Sequence, residues 1–222
     1  MAPFNYIIAM DFEATCWGDN TPIKTRVCEI IEFPAVLFNL KTGKIEAEFH
    51  KYIKPVERPI LSEYCINLTG ISQTTVDNGV TLPIALKLFQ DWLRESLKAR
   101  NLMLPHMSQN NITGNVAFAA WTDYDFGCFL ANECNRKNLN KPPFLNRWID
   151  IRAIYNQRYG RKAGNFAQTL SRFGIETPGE KHSGLAEARK LAELTYKLVC
   201  AGATLKITTD LMPNKKDFDY VL

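Results

Sequence analysis

Asp11 and Glu13 stand two residues apart at the end of the apolar run Tyr6-Ile7-Ile8-Ala9-Met10. Side chains alternate along a strand, so both acids face one side, roughly 6 to 7 Å apart along the backbone. Two carboxylates at about 6 Å repel by about 3 kcal/mol at an effective dielectric near 20. Beside a buried strand that repulsion is costly unless a cation lies between them. The spacing alone decides little, because the same acid-x-acid pattern recurs at Glu46/Glu48, Asp123/Asp125 and Asp217/Asp219. Context separates the pairs: Glu46 and Glu48 alternate within an amphipathic stretch, and Asp217 and Asp219 lie in a polar tail. For Asp11 and Glu13 a metal-holding role and a structural one both stay open.

Asp123 and Asp125 follow a second apolar run, residues 115–121. They suit the exposed N–H groups of a following helix. If the two apolar runs are parallel neighbours, the same acids lie beside Asp11 at the carboxyl edge of the sheet, where open α/β sheets bind ligands. His182 and Glu187 flank Ser183, a natural N-cap for the last helix. A histidine before a helix is often structural, but with a carboxylate five residues on it also places a base and a ligand over one cleft. The chain has three His, which excludes a His-rich site, and six Cys without a CxxC pair, which argues against structural zinc. Any metal must be held mainly by carboxylates. The thiols are expected to be reduced and mostly buried.

The elements that must position these groups follow from hydrophobic period. Residues 5–13 read as a central strand, apolar on both faces. Residues 29–40 and 45–53 read as a hairpin around Lys41-Thr42-Gly43-Lys44, with Pro34 marking a bulge or an edge. After short helical pieces in SEYCINLTG and ISQTTVDNG, residues 82–99 carry Leu82, Ala85, Leu86, Phe89, Leu93 and Leu97 at helical spacing. Residues 100–114 read as irregular, 115–121 as a buried strand, and 124–137, 149–159, 166–173 and 185–200 as helices. A helical crossover between strands implies a parallel pair. The expected fold is α/β, a mixed sheet of an antiparallel hairpin plus parallel strands, with helices on both faces. One domain is expected over residues 1–222, with no accessory RNA-binding domain.

Composition sets outer bounds. With 222 residues, 46% hydrophobic and 11% aromatic, the chain can fill a core and is neither disordered nor a coiled coil. Its net charge of +4 permits a polyanion partner without demanding one. No apolar run approaches the roughly 18 residues of a membrane span, and residues 1–10 lack a secretory pattern, so an intracellular protein of cytoplasm or nucleus is expected.

The blocks DFEATCW (11–17), EIIEFPAVL (29–37), INLTGIS (66–72), DFGCFL (125–130) and HSGLAEA (182–188) together resemble the DEDDh 3′-to-5′ exonucleases, nearest the histone-mRNA 3′-exonuclease and enhancer-of-RNAi branch. The resemblance spans nearly the whole chain in the right order. It implies a ribonuclease H-like fold and release of nucleoside 5′-monophosphates from a free 3′ end of single-stranded RNA, with structured RNA or DNA as other substrates. It further implies two Mg²⁺ ions, replaceable by Mn²⁺, held by Asp11, Glu13, Asp125 and Glu187, with His182 as general base. Asp123 becomes a supporting neighbour. The terminal nucleoside is expected against Leu68, Thr69, Gly70 and Ile71, with backbone contact at Ala14 and Thr15 and stacking from Phe12, Trp17, Leu68 or Ile71. Arg158, Arg161, Lys162 and Lys181 are candidates to track phosphates. The sequence departs from the family pattern at Glu187, where the pattern has Asp, and at Ala186, where relatives often carry another Asp. Two rivals therefore stand: an impaired member that binds RNA without cutting it, and a DNA-preferring exonuclease.

Overall fold

A computed structural model describes residues 4–18, 27–108, 111–176 and 183–211. In chain order the strands are β1 (Tyr6–Ala9), β2 (Glu13–Ala14), β3 (Ile30–Asn39), β4 (Lys44–Tyr52), β5 (His106–Ser108), β6 (Asn111–Thr113), β7 (Val116–Ala120), β8 (Arg147–Asp150) and β9 (Thr209–Asp210). The helices are α1 (Glu63–Thr69), α2 (Gln73–Asp77), α3 (Leu82–Arg100), α4 (Ala131–Arg136), α5 (Ile151–Tyr159), α6 (Phe166–Arg172) and α7 (Gly184–Cys200). A π-helical segment, Tyr124–Leu130, leads into α4.

The main sheet runs β4, β3, then β1 and β2 along the other side of β3, then β7, β8 and β9 beyond β1. β3 is antiparallel to β1, β2 and β4, whereas β1, β7 and β8 are mutually parallel. This is the expected mixed sheet with helices on both faces. Alternation divides β1 between two cores: Ile8 packs with α3 residues such as Phe89 and Leu93, and Ile7 with α7 residues such as Leu191 and Leu198. With both faces covered, the apolar pattern is continuous, as for any strand buried on two sides.

Several details differ from the expectation. The strand predicted over residues 5–13 is two pieces, and Asp11 falls in the gap between β1 and β2. Pro34 marks neither an edge nor a bulge; it stays inside β3, opposite His50, and the register shift against β4 falls at Leu37/Phe38. The Ile53 N–H bonds the Ile31 carbonyl, so alternate residues of β3, Pro34 among them, turn away from β4 toward the gap, where no ladder donor is needed. The helix predicted over 149–159 starts late: Ile149 and Asp150 end β8, and Asp150 caps α5 by accepting from the Ala153 N–H at 2.7 Å. The stretch read as irregular contains the β5–β6 hairpin. Ser183 sits at the N-cap of α7 but makes no side-chain capping bond. The cysteines are free thiols, of which Cys65 and Cys134 are buried and Cys28 and Cys200 exposed, so burial is less general than expected. Among the described residues no helix is long and apolar enough to cross a membrane.

Candidate active site

The parallel order of β1 and β7 brings their carboxyl ends to one edge, with Ala9 beside Ala119. Asp11 and Glu13 follow β1 and open β2; Asp125 comes from the π-helical segment after β7; Glu187 comes from the first turn of α7. π-helical turns are uncommon and recur at functional sites. Here the turn follows β7 after Trp121, Thr122 and Asp123 and carries Asp125, which is 5% exposed and accepts the Phe12 N–H at 2.7 Å. That bond joins the second acidic block to the first.

Asp11 is the centre of the group. Burial pushes its carboxyl well above the ordinary range, and the charges of Asp125, Glu187 and Glu13 add to this, together with a hydrogen bond to Glu187. Burial and the charge of Glu187 lead the causes that raise Glu13 to about 9. Asp125 rises to about 7 through burial, partly offset by the Phe12 N–H. Side chains that repel one another this way form an oxygen-only donor set, the chemistry that suits a hard divalent cation. The residues therefore fit such an ion by donor type, although among the described residues no three His, Cys, Asp or Glu side chains are drawn to ligating distance of a common point. His182 and Lys181 lie outside the described residues.

The expected nucleoside-binding residues divide. Phe12 does not offer its ring to a base: it is 4% exposed and packs edge-on to Phe33 at 4.8 Å, and its contribution to the site is its N–H. Ile71 is likewise buried, in a small core with Cys65 and Val76. Thr15 has its N–H on the Glu29 carbonyl at 2.8 Å and its hydroxyl between Val27 and Glu29, so that backbone donor is already bonded. Ala14 is buried in β2, and its carbonyl accepts from the Cys65 thiol. Leu68 is exposed at the last turn of α1, and Trp17 is half-buried. Gly70 closes α1 at φ 72°, a left-handed turn that favours glycine, and Thr69 braces it from below by accepting the Ile71 N–H.

Some residues do work that spacing did not reveal. Asp123 accepts from Trp148 Nε1 and Thr209 Oγ1, both at 2.7 Å, and Trp148 stacks on Phe126 at 5.1 Å, so Asp123 steadies the segment that bears Asp125. Arg158 donates from Nε and Nη2 to the Ala201 carbonyl at the end of α7; Arg161 and Lys162 are exposed. Glu32, buried in β3 directly opposite Glu13, was not singled out by the sequence; the only available signal was an acid inside an otherwise apolar run.

A mixed sheet whose parallel strands end in carboxylates gathered at one edge, with a further acid from a C-terminal helix, defines a nuclease of the ribonuclease H-like class. The chain belongs to the exonuclease family: the RNase_T family pattern matches residues 8–195. It is 54% identical over 213 residues to the 3′-5′ exonuclease Snipper of Drosophila melanogaster, covering 96% of this chain and 76% of that protein. To ERI1 exoribonuclease 2 of Homo sapiens it is 44% identical over 223 residues, covering 98% of this chain and 32% of that protein. The chain thus spans about a third of that longer relative. Among solved structures it is similar to the nuclease domain of 3′hExo, a DEDDh family member bound to rAMP, with a TM-score of 0.80, 32% identity, and coverage of 94% of this chain and 98% of that one. The family carries a general dependence on divalent metal, and its fold is the one the acidic blocks implied.

Proposed function

We propose that this chain is a single exonuclease domain that removes nucleoside 5′-monophosphates from the 3′ end of single-stranded RNA, using Mg²⁺ held by Asp11, Glu13, Asp125 and Glu187. The observation that carries this reading is the gathering of these acids at one edge of the sheet, where the Phe12 N–H holds Asp125 and Gly184, three residues before Glu187, packs against the Asp11 carbonyl. The rAMP found in the 3′hExo nuclease domain and the exoribonuclease names of relatives support RNA as substrate. When bound, the cations supply Lewis acidity and neutralise the charge of the phosphate.

The chain's own residues supply placement and proton transfer. The Phe12 N–H holds the Asp125 carboxylate beside the first acidic block. Leu68, with the turn at Gly70, forms an apolar seat for the terminal nucleoside, and Trp17 offers a second surface to its base. His182, just ahead of α7, takes the proton of the attacking water; with an ordinary pKa near 6.5 it is a neutral base at pH 7. Glu187 does the work of the family's Asp with one methylene more.

Incubation of the purified chain with Mg²⁺ and a 5′-labelled single-stranded RNA tests the reading. A ladder shortening from the 3′ end is expected, and Asp11→Asn should slow it about a thousandfold, roughly 4 kcal/mol of barrier. Unchanged cleavage by Asp11→Asn would remove the metal assignment, and tight RNA binding without cleavage would select the impaired-member reading. A matched DNA strand in the same assay decides the sugar preference, because only RNA carries the 2′-hydroxyl.

A further inference from the structure

Glu32 is an acid within a ten-residue strand that is buried at every position, and it is itself 1% exposed. Its oxygens face the start of α7: Oε2 accepts the Gly184 N–H at 2.9 Å and Oε1 the Leu185 N–H at 3.1 Å. Oε1 also lies 2.8 Å from His50 Nε2, on the neighbouring strand β4. A helix leaves its first N–H groups without partners, and an N-cap hydroxyl usually takes one of them. Ser183 does not, so the donors of α7 find their acceptor on β3 instead. A negative charge at this end of a helix is favourable, and bonds from backbone N–H to a carboxylate are among the stronger ones.

Two further contacts fasten the same helix. Arg189, in the second turn, forks onto Glu48 of β4 with both bonds at 2.6 Å. Gly184 lets the helix come so close that a Cβ there would overlap the carbonyl oxygen of Asp11 and press on Pro34 and Glu32. The start of α7 is therefore set against the backbone of Asp11 itself. Glu187 lies one turn in, its N–H bonded to the Ser183 carbonyl at 2.8 Å.

We infer that Glu32, braced by His50, is a positioning residue for the reaction: it fixes the first turn of α7, so that Glu187 meets Asp11. This rests on the exonuclease reading above. A capping hydroxyl would hold one donor; the buried carboxylate holds two and fixes the direction in which the helix leaves the sheet.

Glu32→Gln keeps the size but presents an NH₂ group to backbone N–H donors. Its kcat on single-stranded RNA is expected to fall about tenfold or more, with KM within about twofold, because a misplaced acid costs rate more than binding. The second readout needs neither metal nor substrate: amide hydrogen exchange, followed by mass spectrometry on a peptide covering the start of α7, should speed up about tenfold at Gly184 and Leu185 while α3 is unchanged. If Glu32→Gln does not fold, His50→Ala and His50→Gln decide. The alanine variant should slow kcat severalfold and speed the same exchange; the glutamine variant, which keeps a donor, should recover most of both. A folded Glu32→Gln with kcat within twofold of the parent, a loss confined to KM, unchanged exchange at the two amides, or a His50→Ala variant equal to the parent would each overturn the inference. Absence of RNA cleavage by the parent would instead overturn the exonuclease reading, and the exchange measurement would still report on Glu32.

Discussion

At the scale of single residues, Glu187 is the most informative departure. Its carboxyl reaches Asp11, to which it is hydrogen-bonded, from the first turn of α7. Restoring the family's shorter acid on this backbone should therefore withdraw the carboxyl. Glu187→Asp is expected to lose about tenfold or more in kcat, since misplacement by about 1 Å is enough to cost that much. Steady-state rates on one RNA oligomer check this, and a gain in rate would show that the glutamate is a handicap.

At the scale of elements, the site depends on how closely α7 approaches the break between β1 and β2. Gly184→Ala should force the helix away from the Asp11 carbonyl, costing about 1 to 3 kcal/mol of stability and most of the activity, to be read from urea midpoints and from the same cleavage assay. A second tie works at the opening of β3. Glu29, with no exposed surface, accepts the backbone N–H groups of Val56, Glu57 and Arg58 and pairs with Lys137 at 2.7 Å. Burial opposes its charge, but the Lys137 bond and these N–H groups outweigh it and hold its pKa below the ordinary 4.5. Because the folded value is the lower one, Glu29 contributes stability above the unfolded value and loses it as pH falls through the folded value. The stability gap between the parent and Glu29→Gln should be widest near pH 6 and narrow as pH falls below about 4.5, the ordinary glutamate value, in urea titrations.

These elements also show what a sequence can and cannot disclose. The hairpin, α3 and α7 were legible because long amphipathic or doubly buried runs carry a clear period. β8 was not, since its four residues run into α5 without a turn and share its apolar character. The break at Asp11 was hidden because nothing local demands it; it answers to Gly184, far along the chain. Asp11, Glu13 and Asp125 stood out as acids placed directly after buried strands, whereas Glu32 and Glu29 looked like ordinary charges on a hairpin arm. Their roles exist through partners distant in the chain, such as Val56 and Gly184.

For the whole molecule, an excess of four positive charges conceals an uneven distribution, with acids gathered at one edge of the sheet. Cation binding and folding are therefore coupled, because only the folded chain brings these acids together. On the reading proposed above, saturating Mg²⁺ at about a hundred times its dissociation constant should add roughly 2.7 kcal/mol. For a chain of this length that raises Tm by about 5 to 10 °C. Asp11→Asn should melt higher than the parent in EDTA, having shed part of the repulsion, and should respond little to Mg²⁺; differential scanning fluorimetry reads both.

The order in which the acids enter the chain has one more consequence. Asp11 and Glu13 are made long before Glu187. At 5 to 20 residues per second, roughly ten to thirty seconds of translation separate them. Through that interval the nascent polypeptide carries Asp11 and Glu13 without the helix that bears Glu187. On the reading proposed above, the acidic centre is complete only once α7 has cleared the exit tunnel and closed onto the sheet.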